Sequence, residues 1–286
     1  MIDFKSYLGG LFYLLKKYNQ FKKFDGPIIT IVNYHGIPNN SIKNFQKQIH
    51  WLAKNYEIID CQTFQSFLKG EIILEGKKVF ITFDDGFVSS YNVAKTILDP
   101  KGIRAHFFLP SDFVGDKNFS NWKKYVSNNL YKSSKKGSRW FPFQKPMIDN
   151  EINNLINSGH TIGSHTVSHI NLSSIKNEKE LIYELKKSKD DLESNFNVEV
   201  NSLAFPFGGI DYIDSSALKA IKNYYSFCYS NIRGSNDKNT FPYTIYRQDI
   251  SPNIPHSYMG FIIEGGLDWY WASHKNKLVE MYKKAS

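Results

Sequence analysis

The chain has 286 residues, which suits one large domain or two small ones. Hydrophobic residues make up 41% and charged residues 22%, which excludes a disordered chain, and no apolar run reaches the ~18 residues that a membrane-spanning helix needs. The formal net charge is +9, but the lysines are scattered and no nucleic-acid-binding motif is present, so we expect no nucleic-acid partner.

The first 26 residues differ from the rest in composition. Leu8, Leu11 and Leu15 are spaced as on one face of a helix, and the lysines near them are Lys5, Lys16, Lys17, Lys22 and Lys23. The pattern predicts an amphipathic helix over 1–26, followed by one domain over 27–286. This helix either lies on an anionic membrane surface or packs on the domain, and no signal-peptide cleavage site follows it.

From residue 27 onward, short β-branched runs alternate with segments of helical spacing. The runs predict strands over 27–35, 58–59, 78–83, 102–109, 161–163, 200–205 and 226–229. The intervening segments predict helices over 41–56, 63–68, 91–99, 149–157, 177–196 and 215–222. This alternation favours an α/β fold with parallel strands, as a barrel or a doubly wound sheet.

Two parts of the chain break this alternation. Residues 112–146 are rich in Asn, Ser, Lys and aromatics and show little periodicity. This composition predicts an insertion near the functional face. The region from Ile245 onward gives no clear assignment.

Polar residues stand at the ends of several predicted strands. His35 ends the first strand, the pair Asp84-Asp85 ends the third, and His165 and His169 follow the fifth. The carboxyl ends of parallel strands meet at one mouth of a barrel or one edge of a sheet. The sequence therefore predicts that these five side chains share a site.

These residue types suit metal-assisted hydrolysis. One Asp and two His form a three-ligand set for a catalytic metal with an open position for water, and the other Asp is then free to act as a base. Each half has a plain alternative, since the Asp pair can be a turn ending at Gly86 and the His pair can be structural. Cys61 and Cys228 are far apart and predict buried free thiols rather than a thiolate site.

The segments TFDDG, at 82–86, and HTVSH, at 165–169, resemble the motifs of the NodB-homology polysaccharide deacetylases, carbohydrate esterase family 4. The resemblance covers residues 27–250. It implies a distorted (β/α) barrel of about seven strands. It also implies metal-dependent removal of an N-acetyl, sometimes O-acetyl, group from a glycan.

The resemblance implies a role for each matching residue. Asp84 matches the general base, and Asp85, His165 and His169 match the metal ligands. Thr166 matches the hydroxyl position that holds the loop between the two histidines. The metal implied is a divalent ion, Zn²⁺ first, with Co²⁺, Ni²⁺ or Fe²⁺ as alternatives.

The third motif departs from the family pattern. Where the family has an Arg, this chain has Ala204, followed by Phe205-Pro206-Phe207. This departure resembles the branch that acts on poly-N-acetylglucosamine or surface glycans. The Phe207 N–H is the expected oxyanion donor, and Arg247 is a candidate to replace the missing Arg near the base.

The general acid is not evident from the sequence. The late histidines are His256 and His274, and His256 is the candidate acid. Tyr34-His35 resembles an element that lines the site in the same branch, with a structural role as the alternative. Tyr34, His35 and Pro206 are therefore predicted to line the substrate pocket.

These features predict a hydrolase that removes an N-acetyl group from an amino sugar of a bacterial surface polysaccharide or its precursor. Two alternatives stay open: a non-catalytic glycan-binding module on a degenerate deacetylase fold, and a hydrolase of small amides. The expected partner is an N-acetylated glycan or a lipid- or nucleotide-linked amino sugar. The basic N-terminal segment predicts a cytoplasmic protein in peripheral contact with the anionic inner membrane face.

Overall fold

The structure is a computed structural model that describes residues 9–11, 14, 27–130 and 144–285. Residues 9–11 and 14 are helical, and the rest of the predicted amphipathic helix lies outside the described residues. The middle of the predicted insertion over 112–146 also lies outside them. Among the residues that are described, no helix combines the length and apolar character needed to cross a bilayer.

Eight strands form one sheet, in which all ladders between strands are parallel. They are β1 Ile28–Tyr34, β2 Glu57–Ile59, β3 Lys77–Phe83, β4 His106–Leu109, β5 Thr161–Ser164, β6 Ser202–Ala204, β7 Phe227–Tyr229 and β8 Gln248–Asp249. The order is β7-β6-β5-β4-β3-β1-β8, and β2 pairs with β3. The predicted (β/α) barrel class is confirmed.

The chain just before β8 connects the two ends of this sheet. Ile245 pairs with Tyr229 of β7, and β8 then pairs with β1. The Ser230 N–H donates to the Ile245 carbonyl at 2.8 Å, and the Arg247 N–H donates to the Ile232 carbonyl at 3.2 Å. The sheet therefore curves into a barrel, with Arg247 on the segment that spans its two ends.

Helices surround the sheet. Their bounds are Ile42–Asn55, Cys61–Leu68, Val88–Val93, Trp122–Tyr125, Asp149–Asn157, Glu178–Ile182, Ser188–Phe196, Ser215–Ile221, His256–Ile263 and Ala272–Lys284. Wider π-type turns extend three of them, over Ala94–Leu98, Val126–Leu130 and Tyr183–Lys187. The first helix shows why they form, because Phe45, Ile49 and Leu52 fall on one buried face.

Side chains alternate between two hydrophobic clusters along each strand. On β1, Ile29 and Ile31 belong to the smaller cluster inside the barrel, and Tyr34 packs in the larger cluster beneath the helices. Asn33 on β1 and Thr82 on β3 also face the inside of the barrel, on the same side of their strands as the smaller cluster. Polar side chains therefore replace apolar ones inside the barrel at the carboxyl ends of the strands, which is where the site lies.

Candidate metal and catalytic site

Three buried side chains converge where β3 and β5 end. The Nε2 atoms of His165 and His169 lie 3.6 and 3.5 Å from Oδ1 of Asp85. One ligand atom from each residue lies within 4.8 Å of the others. Oδ1 of Asp85 is buried and has no hydrogen-bond partner within the described chain. Since an unsatisfied buried carboxylate oxygen is costly, this position favours a cation.

Both histidines are in the state that binds metals. Burial lowers the pKa of His165 and His169, so both imidazoles are neutral near pH 7. Nδ1 of His165 lies 2.6 Å from the Ala204 carbonyl, which only accepts, so Nδ1 carries the proton and Nε2 presents its lone pair. Two neutral imidazoles and one carboxylate fit Zn²⁺, Co²⁺, Ni²⁺ or Fe²⁺.

Hydrogen bonds fix the loop between these histidines. The Thr166 hydroxyl accepts from the His169 N–H at 3.1 Å. The buried Glu184 carboxylate accepts from the backbone N–H groups of Val167 and Ser168 at 3.0 and 2.9 Å, and from the Ser168 hydroxyl at 2.7 Å. These bonds satisfy polar groups of a buried loop and hold the backbone that carries the two histidines.

Asp84 points into the barrel and meets Arg247. Both residues are buried, and the guanidinium donates to Oδ1 at 2.7 Å and to Oδ2 at 2.8 Å. Asn33 donates to Oδ2 at 3.0 Å. The guanidinium is itself held by the Ser230 carbonyl, 2.8 Å from Nε. Arg247 thus pairs with Asp84, whereas Ala204 places no charge at the position where the resemblance implies an Arg.

This pairing keeps Asp84 ionised. Burial alone would raise the pKa of Asp84, but the charge of Arg247, with smaller contributions from His165 and His35, holds it well below its usual range. A carboxylate has about four lone-pair positions. The bonds from Arg247 and Asn33 occupy two on Oδ2 and one on Oδ1, so Oδ1 can accept one further proton donor.

His35 lies on the opposite side of Asp84, paired with a second carboxylate. Its Nδ1 lies 3.3 Å from Oδ1 of Asp249, and its Nε2 lies 3.9 Å from Oδ2 of Asp84. Burial lowers the pKa of His35, but the bond to Asp249 and the charges of Asp85, Asp249 and Asp84 outweigh burial and raise it to about 10. Hence His35 carries a proton at neutral pH.

Left-handed backbone is concentrated at this site. Non-glycine residues with positive φ include Asp85 at 72°, Thr166 at 65°, His169 at 57° and Phe207 at 63°. Such conformations cost about 1–3 kcal/mol each and persist where the surrounding structure enforces them. Here they turn the ligands and the loop after β6 toward one point.

The carboxylates and imidazoles of this site border one cavity of about 350 Å³. Its lining includes His35, Asp84, Asp85, His165, His169 and Asp249. Aromatic and aliphatic walls come from Phe87, Leu130, Phe207 and Trp271, and a further cation from Arg233. The five strand-end residues singled out in the sequence are therefore brought together.

Three residues that were expected to line the pocket or to act as the acid lie outside this cavity. Tyr34 is fully buried in the outer layer, where its hydroxyl donates to Gln48 at 3.0 Å, because alternation along the strand turns Tyr34 away while His35 turns inward. Pro206 is buried and does not line the cavity. His256 lies in a separate groove beside Trp51, with ring centroids 6.4 Å apart.

The sequence reasoning did not assign Asp249, Asn33 or Glu184. Asp249 had a usable signal, since it lies two residues after Arg247 on an extended segment and so faces the same way. Asn33 lies two residues before His35, so its side chain faces the same side of the strand. No sequence pattern pointed to Glu184, because its contact with the histidine loop depends on how the following helix packs.

The sequence matches the polysaccharide deacetylase family over residues 72–225, which is 154 of the 286 residues. YxkH of Bacillus subtilis (strain 168) is 23% identical over 242 residues, covering 82% of this chain and 76% of that protein. The poly-beta-1,6-N-acetyl-D-glucosamine N-deacetylase of Staphylococcus aureus (strain MRSA252) is 29% identical over 198 residues. That match covers 66% of this chain but only 59% of the Staphylococcus protein.

Among solved structures, the Streptococcus pyogenes deacetylase PplD in complex with acetate is similar, with a TM-score of 0.63. The alignment covers 82% of this chain and 97% of PplD at 20% identity, and at that identity it shows a shared fold. The family match covers more than half of the sequence and includes Asp84, Asp85, His165 and His169. The chain belongs to the polysaccharide deacetylase family.

Proposed function

We propose that this protein is a metal-dependent deacetylase that removes the N-acetyl group from an amino sugar of a surface polysaccharide or its precursor. One observation carries the proposal. A three-residue set that could hold a metal, the carboxylate of Asp84 and the imidazole of His35 border the same cavity.

Asp85, His165 and His169 are the proposed metal ligands. A divalent metal bound there would polarise the acetyl carbonyl and lower the pKa of a water molecule toward about 7. Burial raises the pKa of Asp85 in the protein alone, and a cation would favour its ionised form.

Asp84 is the proposed general base. Its ionised state is secured by Arg247, and Oδ1 retains one lone-pair position for a proton from the attacking water. A carboxylate with such a low pKa is a weak base, so it can act only on a water that has been made acidic. Arg247 thus fixes the position of Asp84 and sets its protonation state.

His35 is the proposed general acid. Its Nδ1–H is directed to Asp249, which leaves the Nε2–H to face the cavity and protonate the departing amine. We expect the Phe207 N–H to donate to the developing oxyanion. The Phe207 ring, edge-on to His169 at 4.8 Å between centroids, and Trp271 provide walls against which a sugar can pack.

The substrate class follows from the family and from a relative named for acting on poly-beta-1,6-N-acetyl-D-glucosamine. The partner proposed for this chain is an N-acetylated glycan or a lipid- or nucleotide-linked amino sugar. The cytoplasmic location expected from the sequence stays a prediction.

The test is acetate release from N-acetylglucosamine oligomers before and after metal removal. We expect chelation to abolish release, and Zn²⁺, Co²⁺, Ni²⁺ or Fe²⁺ to restore it. Asp84→Asn should be inactive with its metal retained, and Asp190→Asn, at an exposed position, should match wild type. Oligomer binding without acetate release under all metals would favour the glycan-binding module. Hydrolysis of small amides without competition by oligomers would favour the small-amide alternative.

A further inference from the structure

A second concave surface lies on the outer layer of the barrel and shares no lining residue with the catalytic cavity. This groove of about 670 Å³ runs along the helix Ile42–Asn55 and reaches His256 at the start of the helix His256–Ile263. Trp51 contributes to its floor. Four lysines border it, namely Lys43, Lys47, Lys54 and Lys101. We refer to it as the basic groove.

The charge of the basic groove is not neutralised by the protein. Across the described ranges, none of its four ammonium groups lies within ion-pair distance of a carboxylate. Elsewhere in the same ranges many lysines do have such partners, including Lys69, Lys78, Lys95, Lys186, Lys187 and Lys189. Four like charges around one groove repel one another unless an anion is present, so the groove is complementary to a negatively charged partner.

The described N-terminal helical residues connect to the helix that borders the basic groove. Gly9 and Gly10 pack against the start of the helix that carries His256. A Cβ on Gly9 would lie 1.9 Å from the Tyr258 ring, and one on Gly10 would lie 2.9 Å from Oγ of Ser257. On the same N-terminal helix Leu11 is 48% exposed and Leu14 is 61% exposed.

We propose that the basic groove and the helical segment bearing Leu11 and Leu14 dock the protein on an anionic lipid bilayer. The lysines would contact lipid phosphates while the leucines enter the interface. Charge alone would also suit a soluble phosphate compound, but exposed leucines on the helix that packs beside His256 favour a surface that is anionic and apolar at once. An N-acetylated glycan is uncharged and becomes cationic as acetyl groups leave, so it is not complementary to this groove.

Vesicle co-sedimentation of the full chain tests the proposal. We expect binding to phosphatidylcholine vesicles that contain phosphatidylglycerol, little binding to phosphatidylcholine alone, and weakening by added salt. Replacing Lys43, Lys47, Lys54 and Lys101 by Gln should reduce the partition coefficient at least about tenfold. Leu11→Ser with Leu14→Ser should reduce it about tenfold as well.

The matched control removes the same charge elsewhere, through Lys179→Gln, Lys219→Gln, Lys238→Gln and Lys277→Gln, all at exposed positions. This control should lose less than about threefold, since screening limits the reach of each charge to roughly 10 Å. Every variant should keep the wild-type melting temperature and acetate release from soluble oligomers.

Three outcomes would overturn the proposal. The first is equal loss in the groove and control variants. The second is equal binding of wild type to neutral and anionic vesicles. The third is tight binding of inorganic pyrophosphate at the groove without vesicle binding, which would make it a site for a soluble anion.

Discussion

Replacing Arg247 by Met should destabilise the protein and change the charge state of its base. The substitution keeps an apolar stem but removes both bonds to Asp84 and the bond to the Ser230 carbonyl. Breaking a buried ion pair by deleting one partner costs about 3–5 kcal/mol, because the other charge stays buried. That is a large part of the roughly 5–15 kcal/mol that holds a domain folded.

The pH dependence follows from the direction of the shift in pKa. In wild type the pKa of Asp84 is depressed, so its contribution to stability is present above the unfolded-state pKa and is lost only as pH falls through the lower folded-state value. Without Arg247, burial would raise the pKa of Asp84 above its unfolded value. The stability difference between wild type and Arg247→Met should therefore be largest near pH 7 and shrink toward about pH 4.

Urea unfolding at several pH values measures this difference, and acetate release measures the activity. We expect the acidic limb of the activity profile to move to higher pH in Arg247→Met. Adding Asp84→Asn to Arg247→Met should recover part of the lost stability, because no charge is then left buried. A stability loss that is the same at pH 4 and pH 7, together with an unshifted acidic limb, would refute the proposed coupling.

Three further substitutions separate the other roles. Asp85→Ala should eliminate both bound metal and turnover, whereas Asp84→Asn should eliminate turnover alone. Elemental analysis measures the metal and acetate release measures the turnover. An Asp85→Ala protein that still binds metal would contradict the proposed ligand set. His35→Gln should lower kcat for N-acetyl substrates by about 10²–10⁴-fold but affect an acetyl ester with a phenolate leaving group far less, and equal losses on both would argue against an acid role. Glu184→Ala should weaken metal affinity about 10–100-fold, because Glu184 accepts hydrogen bonds from the loop between the two histidines. Competition with a chelator measures this affinity. Unchanged affinity would show that the loop keeps its conformation without Glu184.

The strands and the residues at their ends could be predicted from the sequence. Runs of apolar and β-branched residues marked the strands, and the positions of His35 and Asp84 at strand ends predicted that they share one site. The two motif segments identified Asp85 and His169 as neighbours although they are far apart in the chain. These predictions succeed because they rest on periodicity and on ligand chemistry, which are properties of short segments.

Contacts between residues far apart in the chain could not be predicted from the sequence. Only the late histidines were considered for the acid, and His35 was predicted to line the pocket, because order along the chain does not show which strand lies beside which. The parallel pairing of Val32 with Gln248 is what brings Asp249 next to His35, and only the sheet order reveals it. In the same way, Arg247 was a weak candidate until the barrel interior placed it on Asp84.

Closure of the barrel therefore also brings in the residues that contact Asp84 and His35. The segment that carries Ile245 and β8 pairs with β7 at one end and with β1 at the other. It also supplies Arg247, which contacts the proposed base Asp84, and Asp249, which contacts the proposed acid His35. A protein whose last strand had not yet docked would keep the three proposed metal ligands, which lie just after β3 and in the loop after β5, but would lack the contacts to both proposed proton-transfer groups. We therefore expect metal binding to precede catalytic competence in folding, since the two depend on different parts of the chain.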